Sequence, residues 1–192
     1  MSAFSEAVRA DVNRHLDEET GALGARLAAI RHNEGLQAVL VYRLGRELIA
    51  RRRSVLAWPL LALGWPVYAL LHALMRACYG IRLSLTADIA PGFYIGHFGG
   101  VEVYNCRFGE RCSIGAQTKI GSLDEPAGPS IGSGVWIGAH AKIYGPKTIG
   151  DHATIAPGAR VQKNIPENAL VVGDPGRIVF RGYQTHRIVP GV

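Results

Sequence analysis

Ile131-Gly132-Ser133-Gly134-Val135-Trp136-Ile137-Gly138-Ala139-His140-Ala141-Lys142-Ile143 carries an aliphatic residue at every sixth position. The beat continues through Ile149, Ile155 and Val161. Upstream it reaches back through Ile120, Ile114 and Phe108, then Val101, Ile95, Ile89 and Leu83. Gly or Ala often follows the anchor, as at Gly96, Gly109, Gly115, Gly121, Gly132, Gly138 and Gly150. A period of six is neither the 3.6 of a helix nor the 2 of a strand, so it marks a repeat architecture. Hexapeptide repeats build parallel β-helices, whose coils bury their anchors against the coils above and below. The ladder is broken twice. Val101 to Phe108 is one residue too long, and Ile120 to Ile131 is five too long, around Leu123-Asp124-Glu125-Pro126-Ala127. Rigid coils hold such loops in place, so breaks in a solenoid are where binding function is expected.

Residues 1–82 contain no hexads and form a separate N-terminal helical segment; residues 83–192 form the repeat domain and its tail. Helices are expected over residues 5–16 and 36–53. In the second, Leu36, Val39, Leu40, Leu44 and Leu48 recur at three and four, and Glu47 stands four before Arg51, an ion-pairing interval. Residues 54–75 hold no Asp, Glu, Lys or Arg and follow Arg51-Arg52-Arg53. Pro59, Gly64 and Pro66 predict that this stretch breaks into shorter helical pieces. Those pieces would pack on the repeat domain or another subunit; peripheral attachment to a membrane and a true span are the alternatives.

Bulk properties narrow the function. The net charge of +6 divides into 11 basic against 7 acidic residues before position 83 and 10 against 8 after it. No recognition-helix or zinc-finger pattern accompanies that excess, so no nucleic-acid partner is expected. Cys78, Cys106 and Cys112 form neither a metal cluster nor an even disulfide set. His97, His140 and His152 lack a spacing that converges on one ion, so no metal is expected. The first 24 residues lack the apolar core of a secretory signal, which points to the cytoplasm, with the inner face of the membrane open as a location.

With these residues in view, the chain resembles the hexapeptide-repeat acyltransferases, closest to bacterial serine acetyltransferases and related surface-polysaccharide O-acetyltransferases. Gly80–Val101 aligns without a gap to the stretch around their catalytic centre. Val135-Trp136-Ile137-Gly138-Ala139-His140-Ala141-Lys142 is similar to their V-x-I-G-A-G-A-K, and Ile165–Val179 to their closing segment. The resemblance implies a mainly β fold, a left-handed parallel β-helix of hexapeptide repeats with an N-terminal α-helical segment. It implies acetyl-CoA as donor and a homotrimer, or two trimers joined through the helices.

The family's catalytic His falls on His97, which would act as general base toward an acceptor hydroxyl; imidazole has the pKa for that task. The family's ring-orienting Asp falls on Arg82, leaving Asp88 and Glu102 as candidates for that role. Coenzyme contacts are implied at Gly121, Gly138, Ala139 and Pro157, with Lys163 and Arg177 near the nucleotide phosphates. Two departures touch the acceptor. Gly96 replaces an Asp before the His, and Ala127-Gly128-Pro129 replaces an R-H-P that helps hold an amino-acid carboxylate. A saccharide or polysaccharide-precursor hydroxyl is therefore the expected acceptor, with serine as the alternative. A non-catalytic scaffold or assembly subunit is the alternative of another class.

Overall fold

The computed structural model of the chain describes residues 3–16, 24, 30–52, 58–96, 99–125 and 127–184. Thirteen strands of two residues each run from Arg82–Leu83 (β1) to Arg160–Val161 (β13). In every one the second residue is buried, because the pleat turns successive side chains to opposite faces. The strands stack in parallel into three sheets, and every third strand shares a sheet. Sheet A joins β1, β4 (Glu102–Val103), β7 (Lys119–Ile120), β10 (Lys142–Ile143) and β13. Sheet B joins β2 (Asp88–Ile89), β5 (Arg107–Phe108), β8 (Ser130–Ile131) and β11 (Thr148–Ile149). Sheet C joins β3 (Tyr94–Ile95), β6 (Ser113–Ile114), β9 (Trp136–Ile137) and β12 (Thr154–Ile155), then β14 (Ala169–Val172) and the antiparallel β15 (Arg177–Arg181). The result is the left-handed parallel β-helix, a three-sided prism.

Three columns of anchors fill the prism. On sheet A, Leu83, Val103, Ile120, Ile143 and Val161 lie in register, none more than 3% exposed. Each buried aliphatic side chain stabilises the stack by about 2 kcal/mol. A second inward set sits two residues before the anchors: Ala87, Phe93, Val101, Cys106, Cys112, Thr118, Val135, Ala141, Ala153 and Ala159. These fill the inside of the corners, which explains why two of the cysteines are there.

This second set corrects the reading of the first break. Val101 is a corner filler, and the sheet A anchor is Val103, paired with Leu83. Ile95 to Val103 is therefore eight residues and Val103 to Phe108 five. Two extra residues sit in the turn after Ile95, and one is missing from the next turn.

The first coil has no coil above it, so its backbone needs other partners. Helix α1 (Ala3–Arg14) and helix α2 (Glu34–Arg51) supply them. Tyr42 Oη donates to Ala87 O (2.8 Å) and accepts from Ile89 N (3.2 Å). Arg43 donates to Ile89 O (2.5 Å) and Ala90 O (2.8 Å). The fully buried Asp11 accepts from Arg43 Nε (2.8 Å), Gly92 N (2.8 Å) and Phe93 N (2.9 Å). Gly35 is required at the start of α2, since a Cβ there would lie 2.4 Å from Ile95 O. The Glu47–Arg51 pair forms as its spacing predicts (2.5 Å).

Helix α3 (Trp58–Leu74) differs from expectation: it is continuous and extends through a π-helical turn, Met75–Tyr79. Pro59 occupies the first turn, where its missing N–H costs nothing. Pro66 lies inside the helix and on its exposed side. Gly64 is a packing notch, because a Cβ there would meet Leu48 Cδ2 of α2 at 2.6 Å. Gly80 ends the helix in the left-handed region (φ 67°).

Candidate active site

The corner between sheets C and A is built from stacked turns. Gln117 N donates to Gly99 O, His140 N to Ala116 O and Gly158 N to Ala139 O, each at 2.8 Å. Gly100, Gln117, His140 and Gly158 all adopt positive φ there, between 55° and 72°. Beside this column runs a groove of about 540 Å³, lined by Gly100, Glu102, Gln117, Lys119, His140, Lys142, Gly158 and Asp174. Its upper end meets the helical segment, where Gly100 N donates to Tyr79 O (3.3 Å) and Gly80 packs against Gly100.

The groove's second wall is the outer face of sheet A. The outward residues Arg82, Glu102, Lys119, Lys142 and Arg160 form one register row. Glu102 pairs with Lys119 (3.8 Å), leaving the row with a surplus of positive charge. Rungs about 4.8 Å apart place those cations along a strip that suits a polyphosphate. The tail closes the lower end. Arg160 N donates to Gly173 O (3.1 Å) and Gly176 N to Arg160 O (2.8 Å), which brings Asp174 to the groove.

The expected site residues divide around the prism. His97 lies outside the described residues; in the sequence it falls between Gly96 and Gly99, in the enlarged turn of the first coil. Glu102 lies on the groove next to that turn. Asp88 lies on sheet B, paired with Arg46 (3.0 Å) and Arg107 (3.6 Å), away from the groove. Gly138, Ala139 and Pro157 do stack on successive coils of the C/A corner. A Cβ on Gly138 would lie 2.5 Å from Pro157 N, so close coil packing by itself requires glycine there.

Gly121 occupies a different corner, between sheets A and B, at φ 70°. A Cβ there would overlap Tyr104 O at 1.8 Å. Within one chain it is not part of the same groove. Lys163 and Arg177 are both exposed at the last-coil end. Lys119, Lys142 and Arg160 were missed, although the sequence carries their signal: like Arg82, each directly precedes an anchor of sheet A.

The loop between Ile120 and Ile131 is closely packed. Gly128 cannot carry a side chain, because a Cβ would fall 1.7 Å from Asn105 O. Asn105 Nδ2 holds the loop by donating to Ser122 O (2.9 Å) and Glu125 O (3.0 Å). Burial pushes the Cys106 thiol up to about 12 and the Cys112 thiol to about 11, so neither is a nucleophile at neutral pH. Among the described residues no group of three His, Cys, Asp or Glu side chains converges as metal ligands.

The bacterial transferase hexapeptide family (six repeats) matches residues 128–163. The serine acetyltransferase of Mycobacterium tuberculosis is 30% identical over 188 residues, covering 90% of this chain and 72% of that protein. Serine acetyltransferase 4 of Arabidopsis thaliana is 28% identical; the match covers 92% of this chain but only 47% of the plant protein. The crystal structure of Neisseria gonorrhoeae serine acetyltransferase in complex with serine superposes with a TM-score of 0.74 at 26% identity, covering 92% of this chain and 69% of that one. On this likeness in both sequence and fold, the chain belongs to the serine acetyltransferase family and is a hexapeptide-repeat acyltransferase.

Proposed function

We propose that this chain transfers an acetyl group from acetyl-CoA to an acceptor hydroxyl, with serine as the first acceptor. The observation that carries the reading is the groove at the C/A corner, with Gly100, Gln117, His140 and Gly158 along one wall and Glu102, Lys119 and Lys142 of sheet A along the other. The pantetheine arm would lie against the Gly138–Ala139 and Pro157 steps, and the nucleotide phosphates along Lys119, Lys142 and Arg160. His97 takes the hydroxyl proton as the oxygen attacks the thioester carbonyl. Collapse of the tetrahedral intermediate breaks the C–S bond, and the CoA thiolate recovers that proton from the imidazolium. A backbone N–H from a coil or loop outside the hydrogen-bonded column would stabilise the oxyanion. Glu102, which lines the groove, is the candidate for steadying the ring, whereas Asp88 faces another side of the prism. A homotrimer, or two trimers joined through the helices, is the assembly this reading carries.

Serine displaces the saccharide that the sequence put first, because the matched relatives are serine acetyltransferases. A saccharide acceptor remains as a second reading on one observation. Gly128 leaves no space for a side chain and Ala127 brings no charge, so the loop offers no cation to an amino-acid carboxylate. Losing the partner of a desolvated charge costs about 3–5 kcal/mol. Mass spectrometry of products from acetyl-CoA with serine and with nucleotide-activated sugars, side by side, separates the two. Acetylated serine supports the first reading and acetylated sugar alone the second; no acetylated hydroxyl from any acceptor overturns both. His97→Ala is expected to lower turnover about 100- to 10,000-fold, and unchanged turnover would remove His97 from the mechanism.

A further inference from the structure

Helix α3 exposes an apolar face that its own fold leaves uncovered. Trp58 is 67% exposed, Leu63 72% and Leu70 62%, with Trp65, Val67 and Leu74 also open. Pro59, Ala62, Pro66, Ala69 and Ala73 are the other exposed members of the helix. Together they cover more than half of its circumference and include no charged side chain. A helix on the surface of a soluble protein presents polar residues there, so this face is made to be covered. The opposite face is already taken: Tyr68 is buried against Gly45, and Gly64 meets Leu48.

Charge identifies the cover. From residue 54 to residue 81 the sequence holds no Asp or Glu. The exposed Arg52 stands before the helix and the exposed Arg76 in its last turn, while Arg51 is paired with Glu47. Pairing this face with a second copy, in antiparallel, would set Arg52 against Arg76. A parallel pairing would set each arginine against its own copy. Neither offers an acid, and apposed like charges are costly. Anionic headgroups satisfy both ends at once. Trp58 and Trp65 have the apolar ring and polar N–H suited to the headgroup boundary.

We propose that α3 lies in the plane of a membrane rich in anionic lipid, with its outer face in the headgroup–acyl boundary and α2 on its water side. The helix does not cross, because α2, which carries Glu34, Gln37, Arg43, Arg46 and Glu47, would have to enter the hydrocarbon with it. Docked in this way, the helix ends at Gly80 beside the turn that opens the active groove.

Co-sedimentation of the full chain with vesicles tests this, using phosphatidylcholine alone and phosphatidylcholine mixed with phosphatidylglycerol. Binding to the mixed vesicles only, weakening with salt, is expected. Leu63→Glu with Leu70→Glu should abolish it while leaving the thermal midpoint and acetyl transfer unchanged. Arg52→Gln and Arg76→Gln should each lower the partition about fivefold, and these exposed substitutions decide the matter should the first pair not fold. Failure to bind mixed vesicles overturns the proposal. So does a soluble oligomer that L63E/L70E dissociates, since a second copy would then be the cover.

Discussion

The coils from Ile131 to Val161 and the first coil, residues 82–96, are held together in different ways. In the lower coils β8, β9, β10 and β12 each have a parallel strand on either side, only β11 and β13 ending their sheets, and aliphatic columns carry the stability. The first coil has neighbours on one side only. Its open edge is satisfied by three side chains from the helical segment, Asp11, Tyr42 and Arg43, two of which form a buried ion pair. The difference teaches that a solenoid terminus is a problem in polar satisfaction, whereas its middle is a problem in packing. It also shows why the irregular residues of the first turns survive: a coil fixed from outside does not need perfect repetition.

The largest effect should come from breaking the polar clamp. Asp11→Ala leaves Arg43 as a buried charge without its partner and the Gly92 and Phe93 N–H groups without an acceptor. A loss of about 3–5 kcal/mol is expected by denaturant unfolding. Asp11→Asn should cost less, since an amide oxygen still accepts. A loss below about 1 kcal/mol would show that the lower coils alone set the stability.

A smaller effect is expected on the groove wall that the lower coils supply. Lys142→Ala removes one exposed cation from the sheet A row. The KM for acetyl-CoA should rise about fivefold, the worth of one solvent-exposed charge contact, with kcat unchanged. A kcat defect instead would assign Lys142 to the chemistry rather than to donor binding.

The smallest effect is a pH dependence confined to the clamped end. His15 donates from Nδ1 to Asp11 O (2.7 Å) and stacks on Tyr94 (4.6 Å between ring centroids). Burial lowers its pKa from the ordinary 6.5. The folded state therefore binds fewer protons than the unfolded state just below that value, and stability falls as pH drops through it. Acid-induced loosening of α1 should be visible by amide exchange at residues 3–16 before the coils respond. His15→Phe should remove the pH step, and a step that persists would trace it to another group.

How much was legible beforehand differs between the same two regions. Ile131 to Val161 could be read almost residue for residue, because inward and outward positions alternate within each hexad and nothing outside the coil competes. The Val101 assignment failed where two inward sites, the anchor and the corner, accept the same aliphatic residue. Only strand register separates Val101 from Val103. The unbroken α3 was likewise invisible, since Pro59 and Pro66 are breakers by local rule and harmless at the first turn and on an open face. Gly121 and Gly138 look alike in sequence, yet their corners differ, because six residues carry the chain around one side of the prism.

The sequence alone determined that the chain coils with a period of six, that a helical segment precedes the coils, and that His97 stands two residues after an anchor. These properties are local, fixed by which residues can tolerate a turn and which must leave water. Tertiary structure decided what sequence spacing cannot encode. It gathered Glu102, Lys119, His140 and Asp174, up to 72 residues apart, along one groove. It sent Asp88 to another face and left α3 with an uncovered side. Distance along this chain becomes angle around a prism, and only the closed coils convert one into the other.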